Sequence, residues 1–290
     1  MTEIHVAART RNILGEVPMW DAETGALWWV DIEGCLLQRL STHGGEVTSW
    51  TLPERIGSYA LRRNGGIVCA FASGFAFHDL DTGQTDWIAR PEADTPRNRF
   101  NDGKVDRQGR FWAGTMDDRL SERTGALYRL DPDLRVHRME TGIGISNALC
   151  WSPDDSRFYF ADTMQQEIWC YDYTAATGAI SGRRLFAHTR DQPGQPDGAT
   201  VDAEGFLWNA EWDGWRLVRY APDGTIDRIV ELPVQKPTSC IFGGPDLKTL
   251  FVTTAIWDLK GEALAAQPLA GSLLSLETDV PGLPETRFAG

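Results

Sequence analysis

The chain has 290 residues, of which 42% are hydrophobic and 24% charged, and a formal net charge of −13. That balance belongs to a globular chain long enough for a large core, and its acidic surface repels phosphate backbones, which argues against a nucleic-acid partner. Apolar runs such as "ALWWV" (26–30) and "LFVTTAI" (250–256) are strand-sized, too short to span a membrane as helices, so no membrane partner is expected.

The opening "MTEIHVAARTRN" has no apolar stretch followed by a small-residue cleavage site, so no secretory signal is expected. The five cysteines (35, 69, 150, 170, 240) are odd in number and scattered, and no two form a C-x-x-C pair. Most lie in strand-like runs and read as reduced, buried thiols. A cytoplasmic protein fits these features, with a monomer expected.

From Asp21 onward one unit recurs. "DAETGALWWVD" (21–31), "RRNGGIVCAF" (62–71), "DRQGRFWAGT" (106–115), "SPDDSRFYFAD" (152–162), "DAEGFLWNAE" (202–211) and "GPDLKTLFVTT" (244–254) each join a turn to a β-rich run. Aligning Trp28, Val68, Trp112, Tyr159, Trp208 and Phe251 gives gaps of 40, 44, 47, 49 and 43 residues. Such a period marks four-stranded propeller blades. Further turns, "STHGGEV" (41–47), "DLDTGQTD" (79–86), "YTAATGAISG" (173–182) and "YAPDGTI" (220–226), fall where a third strand turns into a fourth.

The expected fold is therefore all-β: a six-bladed β-propeller of four-stranded antiparallel blades, forming a single domain over 1–290. "EIHVAA" (3–8) or "ETRFAG" (285–290) should complete the outside of the sixth blade. The best helix candidate is "EALAAQPLAG" (262–271), a turn or two in a loop.

In a propeller the innermost strand precedes the aligned turn. Counting back 11 or 12 residues from the aligned positions gives Glu16, Asn101, Asn147, Asp197 and Ser239, with Ser58 or Tyr59 in the shorter second unit. Alone, each is an ordinary turn residue. Together they place carboxylates and amides at one end of the channel. Oxygen ligands of this kind suit a hard divalent cation, and packed carboxylates need one to offset their repulsion. Calcium, magnesium, manganese, iron(II) and zinc with open positions all remain open.

Other chemistries fit less well. "GISNA" lacks the last glycine of a nucleophile elbow. The histidines (5, 43, 78, 137, 188) lie outside the channel positions, which argues against Ser-His or Cys-His catalysis. "GIGISN" lacks the third glycine of a dinucleotide fingerprint.

"LGEVPMWD", "NRFNDGKVDRQGRFWAGTMD", "GISNALCWSPDDSRFYFADT" and "QPDGATVDAEGFLWNAEWDGW" resemble the senescence marker protein/gluconolactonase (regucalcin-like) family. The resemblance runs from about Gly15 to Leu274, and "EWDGW" looks like its bacterial sugar-lactonase branch. It implies one divalent cation held by Glu16, Asn147 and Asp197, with substrate contacts at Arg99 and Asn101. The family's acidic residue after "GTM" falls on Asp117 or Asp118. The resemblance also implies hydrolysis of an aldono-1,4- or 1,5-lactone, such as gluconolactone or a pentonolactone; in that reaction Asp197 is the candidate general base, since a metal-bound carboxylate can hold the attacking water. Trp212 and Trp215 could cover an apolar sugar face, although such residues more often pack a loop. Competing readings are a non-catalytic calcium-binding propeller and a propeller esterase or lactonase for less polar substrates.

Overall fold

Five of the six recurring turns are tied down by an acidic residue, Asp21, Asp106, Asp154, Asp202 or Asp246, and the second, "RRNGGIV", has none. Asp106 Oδ1 accepts from the backbone N–H of Gln108 and Arg110 at 3.0 and 2.9 Å, and Oδ2 accepts from Trp112 Nε1 at 3.0 Å. Asp202 repeats the arrangement with Glu204, Phe206 and Trp208. The side chain thus satisfies turn donors that lack strand partners and fixes the tryptophan that follows.

The computed structural model describes residues 2–41 and 45–290; residues 42–44 of "STHGGEV", including His43, lie outside the described residues. The strands form six four-stranded antiparallel sheets. Blade one runs from Gly15–Asp21 outward to Val47–Thr51, and blade two from Ile56–Leu61 to Thr85–Ala89. Blade three runs from Asn98–Val105 through Phe111–Asp117 to Val136–Ile143, and blade four from Ser146–Trp151 to Ala179–His188. Blade five runs from Gln195–Val201 to Ile226–Glu231. The innermost strands pack in chain order, and the last lies against the first, which closes the ring expected from the repeat.

The aligned residues all fall on second strands. Their rings and aliphatic chains fill the space between blades. Trp112, Trp151, Phe158, Phe160, Tyr171 and Tyr173 form one such cluster between blades three and four. Phe158 is wholly buried there, and its truncation to alanine would cost about 3–5 kcal/mol. Near the axis the blades approach too closely for side chains at some positions. A Cβ at Gly57 would strike the Phe100 carbonyl, and one at Gly198 would strike the Ser239 side chain.

The two chain ends do different work. Blade six comprises Pro237–Gly243, Thr249–Thr254, Leu273–Glu277 and, outermost, His5–Ala8, which pairs antiparallel with Leu273–Glu277. Of the two terminal segments weighed for that position, "EIHVAA" therefore supplies the strand. "ETRFAG" instead crosses the far end of the channel. Glu285 pairs with Lys104 at 3.2 Å, Arg287 with Asp21 at 2.7 Å, and Phe288 is fully buried. The helix Gly261–Ala265 lies in the connection between two strands of blade six. Among the described residues no helix is long and apolar enough to cross a membrane. All five cysteines are free thiols, and all but the half-buried Cys35 are buried.

Candidate active site

Every innermost strand carries a bulge near its start. The register against the second strand shifts between Glu16 and Met19, Phe100 and Gly103, Asn147 and Cys150, and Pro196 and Ala199, with equivalents in blades two and six. An extra residue bends the strand and re-aims side chains. The residues after Glu16 and Asn147 absorb the bend in the left-handed region: Val17 at φ 47° and Ala148 at φ 58°. Such conformations are uncommon for residues other than glycine and cluster at ligand sites.

The bulges bring Glu16, Arg99, Asn101, Asn147 and Asp197 to the wall of one cavity of about 290 Å³. Asp118, Trp212, Asp213 and Lys236 also line it. Glu16, Asn147 and Asp197 are 4%, 3% and 5% exposed, so two carboxylates and an amide sit together almost out of solvent. Glu16 and Asp197 are close neighbours on the cavity wall, near enough for the charge of one to act on the other. Burial, then the nearby Asp102 charge, pushes Glu16 up to about 8. Burial, then the Glu16 charge, holds Asp197 well above the carboxylate range.

A hydrogen-bond relay orients the amides. Asn147 Nδ2 donates to Thr163 Oγ1 at 2.8 Å, and Thr163 Oγ1 donates to the carbonyl of Pro196 at 2.6 Å, next to Asp197. Asn101 Nδ2 donates to Ser146 O and to Asn147 Oδ1, at 2.9 and 3.1 Å. Both donors of the Asn101 amide are thus engaged, while its Oδ1 accepts from Arg99 Nη1 at 2.8 Å. Asn101 meets a ligand chiefly as an acceptor.

Arg99 is held on its other side by Asp118, whose Oδ1 accepts from Nε at 3.0 Å. Asp118 is gripped in turn by Arg55 through both carboxylate oxygens, at 2.9 and 2.7 Å. Those Arg55 hydrogen bonds lead in lowering the Asp118 pKa. Arg99 Nε and Nη1 are engaged within the protein, which leaves Nη2 facing a ligand.

The "GTMDD" run offers Asp118 to the cavity and withholds Asp117. Asp117 is fully buried and accepts from the Ser121 hydroxyl at 2.7 Å and from the Ser121 and Glu122 N–H groups. These bonds, the hydroxyl's first, hold its pKa down at about 2. Asp117 is a loop cap; it does not line the cavity, which corrects its place among the expected substrate contacts. Trp212 lines the cavity while Trp215 does not, and none of the described histidines reaches it.

Sequence reasoning missed Asp102, a buried carboxylate beneath the site. Its oxygens accept from the N–H of Gly103 at 2.8 Å and of Leu149 at 3.4 Å, and burial raises its pKa to about 6. It also missed Thr163, Arg55, Asp213 and Lys236, none of which shares the repeat spacing.

Among the described residues no set of three or more His, Cys, Asp or Glu side chains converges on a metal position. Asn147 lines the same cavity wall as Glu16 and Asp197 and adds an amide to the two carboxylates. Anionic and neutral oxygens with no thiol or imidazole match a hard cation, so the residues present fit one.

Residues 14–256 match the family model described as the SMP-30/Gluconolactonase/LRE-like region. The chain is 38% identical to the L-arabinolactonase of Azospirillum brasilense, over 100% of this chain and 99% of the relative. It is 37% identical to the 6-deoxy-6-sulfogluconolactonase of Pseudomonas putida, over 97% of each. The crystal structure of the calcium-binding protein regucalcin from Agrobacterium tumefaciens superposes with a TM-score of 0.95 at 31% identity, covering 100% of this chain and 98% of that one. The chain belongs to the SMP-30/gluconolactonase/LRE-like family.

Proposed function

We propose that this protein is a carboxylic ester hydrolase that opens a sugar lactone to its aldonic acid in sugar oxidation, using one divalent cation held by Glu16, Asn147 and Asp197. The observation that carries this reading is the pair of neighbouring carboxylates, Glu16 and Asp197, both buried in the wall of one cavity. Two carboxylates in that position either retain a proton or share a cation. Two relatives of this chain are named lactonases, which supports lactone hydrolysis as its chemistry.

When bound, the cation supplies a Lewis acid for the lactone carbonyl and favours ionised carboxylates around it. Asp197 takes a proton from water as the water oxygen attacks the carbonyl carbon. It returns that proton to the ring oxygen as the C–O bond breaks, so one water is consumed and one aldonic acid leaves. Arg99 Nη2 donates to a substrate oxygen, and Asn101 Oδ1 accepts from a hydroxyl, fixing the ring against the water. Asp118 and Arg55 hold Arg99 in place.

The test is turnover of gluconolactone and of a pentonolactone by protein stripped of metal and refilled with single cations. Acid release that vanishes on stripping and returns on refilling supports the reading. Tight calcium binding with no turnover of any lactone would favour the non-catalytic calcium-binding propeller. Turnover confined to hydroxyl-free lactones would favour the less polar esterase.

A further inference from the structure

The cavity has a second polar wall, which the mechanism above does not use. Lys236 immediately precedes the innermost strand of blade six, and blade six stands across the ring from blade three, which carries Arg99 and Asn101. The Lys236 side chain is only 8% exposed, yet its ammonium faces the cavity. Nζ donates to Asp213 Oδ1 at 2.5 Å and lies 4.2 Å from the centre of the Trp212 ring. An ammonium has three donors, and the hydrogen bond to Asp213 uses one of them.

Asp213 is poised in a complementary way. Its Oδ1 also accepts from Gln235 Nε2 at 2.9 Å, so the protein engages Oδ1 and leaves Oδ2 as an acceptor. The backbone is bent to achieve this. Asp213 and Trp215 both adopt left-handed conformations, at φ 61° and 58°, and Trp215 N–H donates to Gln235 O at 3.2 Å. Strain at a bulky residue such as Trp215 persists only where surrounding contacts impose it.

Resting on the lactone reading, we propose that Lys236 and Asp213 form a hydroxyl-reading subsite opposite Arg99 and Asn101, with Trp212 as its apolar floor. Lys236 donates to one substrate hydroxyl oxygen while Asp213 Oδ2 accepts the proton of its neighbour, a pairing that fits adjacent hydroxyls. The ligand class is a neutral polyhydroxylated ring. The cavity wall carries Glu33, Asp118, Asp213 and Asp258 beside Glu16 and Asp197, against Arg99 and Lys236, an excess of acids that disfavours an anionic substituent. Lys236 and Asp213 are specificity-determining residues and take no part in the proton transfer.

The experiment is calorimetric titration of the cation-loaded protein with D-glucono-1,5-lactam, a hydroxylated ring whose amide resists hydrolysis. Turnover of gluconolactone and δ-valerolactone is measured on the same samples. Lys236→Met keeps the stem over Trp212 and removes the charge; Asp213→Asn keeps the shape and removes the acceptor charge. Each substitution is expected to weaken lactam binding about tenfold or more, with cation content and melting temperature retained and δ-valerolactone turnover little changed. Lactam affinity in both variants equal to wild type overturns the subsite, as does wild type that binds no lactam. If wild type turns over no lactone while its lactam binding still depends on Lys236, the subsite stands and the lactonase reading falls.

Discussion

Asn101 Nδ2 donates to Asn147 Oδ1 at 3.1 Å, so a residue on the substrate side of the cavity and one on the cation side form a single unit across blades three and four. We predict that Asn101→Ala weakens cation affinity about 10–100-fold, as loss of an outer-shell partner does, and raises KM as well. Calorimetry with calcium beside steady-state kinetics checks this; an unchanged calcium affinity would contradict the coupling.

Arg99 is held on the substrate side by Asp118, itself gripped by Arg55, and its one link toward the cation side is the hydrogen bond to Asn101 Oδ1. Arg99→Ala should therefore raise KM for a hydroxylated lactone about tenfold or more while metal content stays at the wild-type level. Loss of metal together with activity would place Arg99 in the cation site instead.

The raised pKa of the buried Glu16 carboxyl gives a signed pH dependence. Glu16 moves from 4.5 in the unfolded chain to about 8 in the fold. Between those values the folded state holds more protons, so the cation-free protein loses stability as pH rises through that window. A cation must displace the same protons, so its affinity rises over the same range. Melting curves from pH 5 to 9 should show calcium-induced stabilisation growing with pH. A shift that is flat, or that shrinks, is the opposing result.

Removing one charge separates catalysis from folding. Asp197→Asn should lower lactone turnover by about 10²–10⁴, yet raise the melting temperature of stripped protein near pH 8, because it removes a buried like charge. An active variant would exclude Asp197 as the base. An inactive variant with a lowered melting temperature would make the site structural.

At the far end of the channel, Lys104 and Glu285 keep only 18% and 14% side-chain exposure. Glu285→Ala should cost about 1–3 kcal/mol in chemical denaturation, less than the ~3–5 kcal/mol of a fully buried pair. Lactone turnover should persist. A neutral effect on stability would show that the C-terminal strap contributes little.

The propeller was legible because each blade repeats a turn before an apolar strand, and in blades three and five the turn aspartate also holds the tryptophan that follows, as in Asp106–Trp112 and Asp202–Trp208. Fixed spacing then led to Glu16, Asn101, Asn147 and Asp197. What spacing could not show was the direction of side chains at the bulges. Asp102 follows Asn101, and regular strand alternation would send it to the other face, but the bulge keeps it near the axis. Nor could spacing separate Asp117 from Asp118, whose fates depend on a loop closing over one of them. Lys236 and Asp213 meet only because two connecting loops converge. The terminal segments were ambiguous because both are short and β-prone, and only strand pairing shows that His5–Ala8 completes the sheet.

The most direct test of the account is a crystal soaked in manganese, with anomalous diffraction used to place the ion. The account predicts one strong peak between the Glu16 carboxylate, the Asn147 Oδ1 atom and the Asp197 carboxylate, at about 2.0–2.6 Å from each, and loss of that peak in Asp197→Ala. A cavity without a peak, or a peak held elsewhere while lactone turnover still requires the metal, would contradict it.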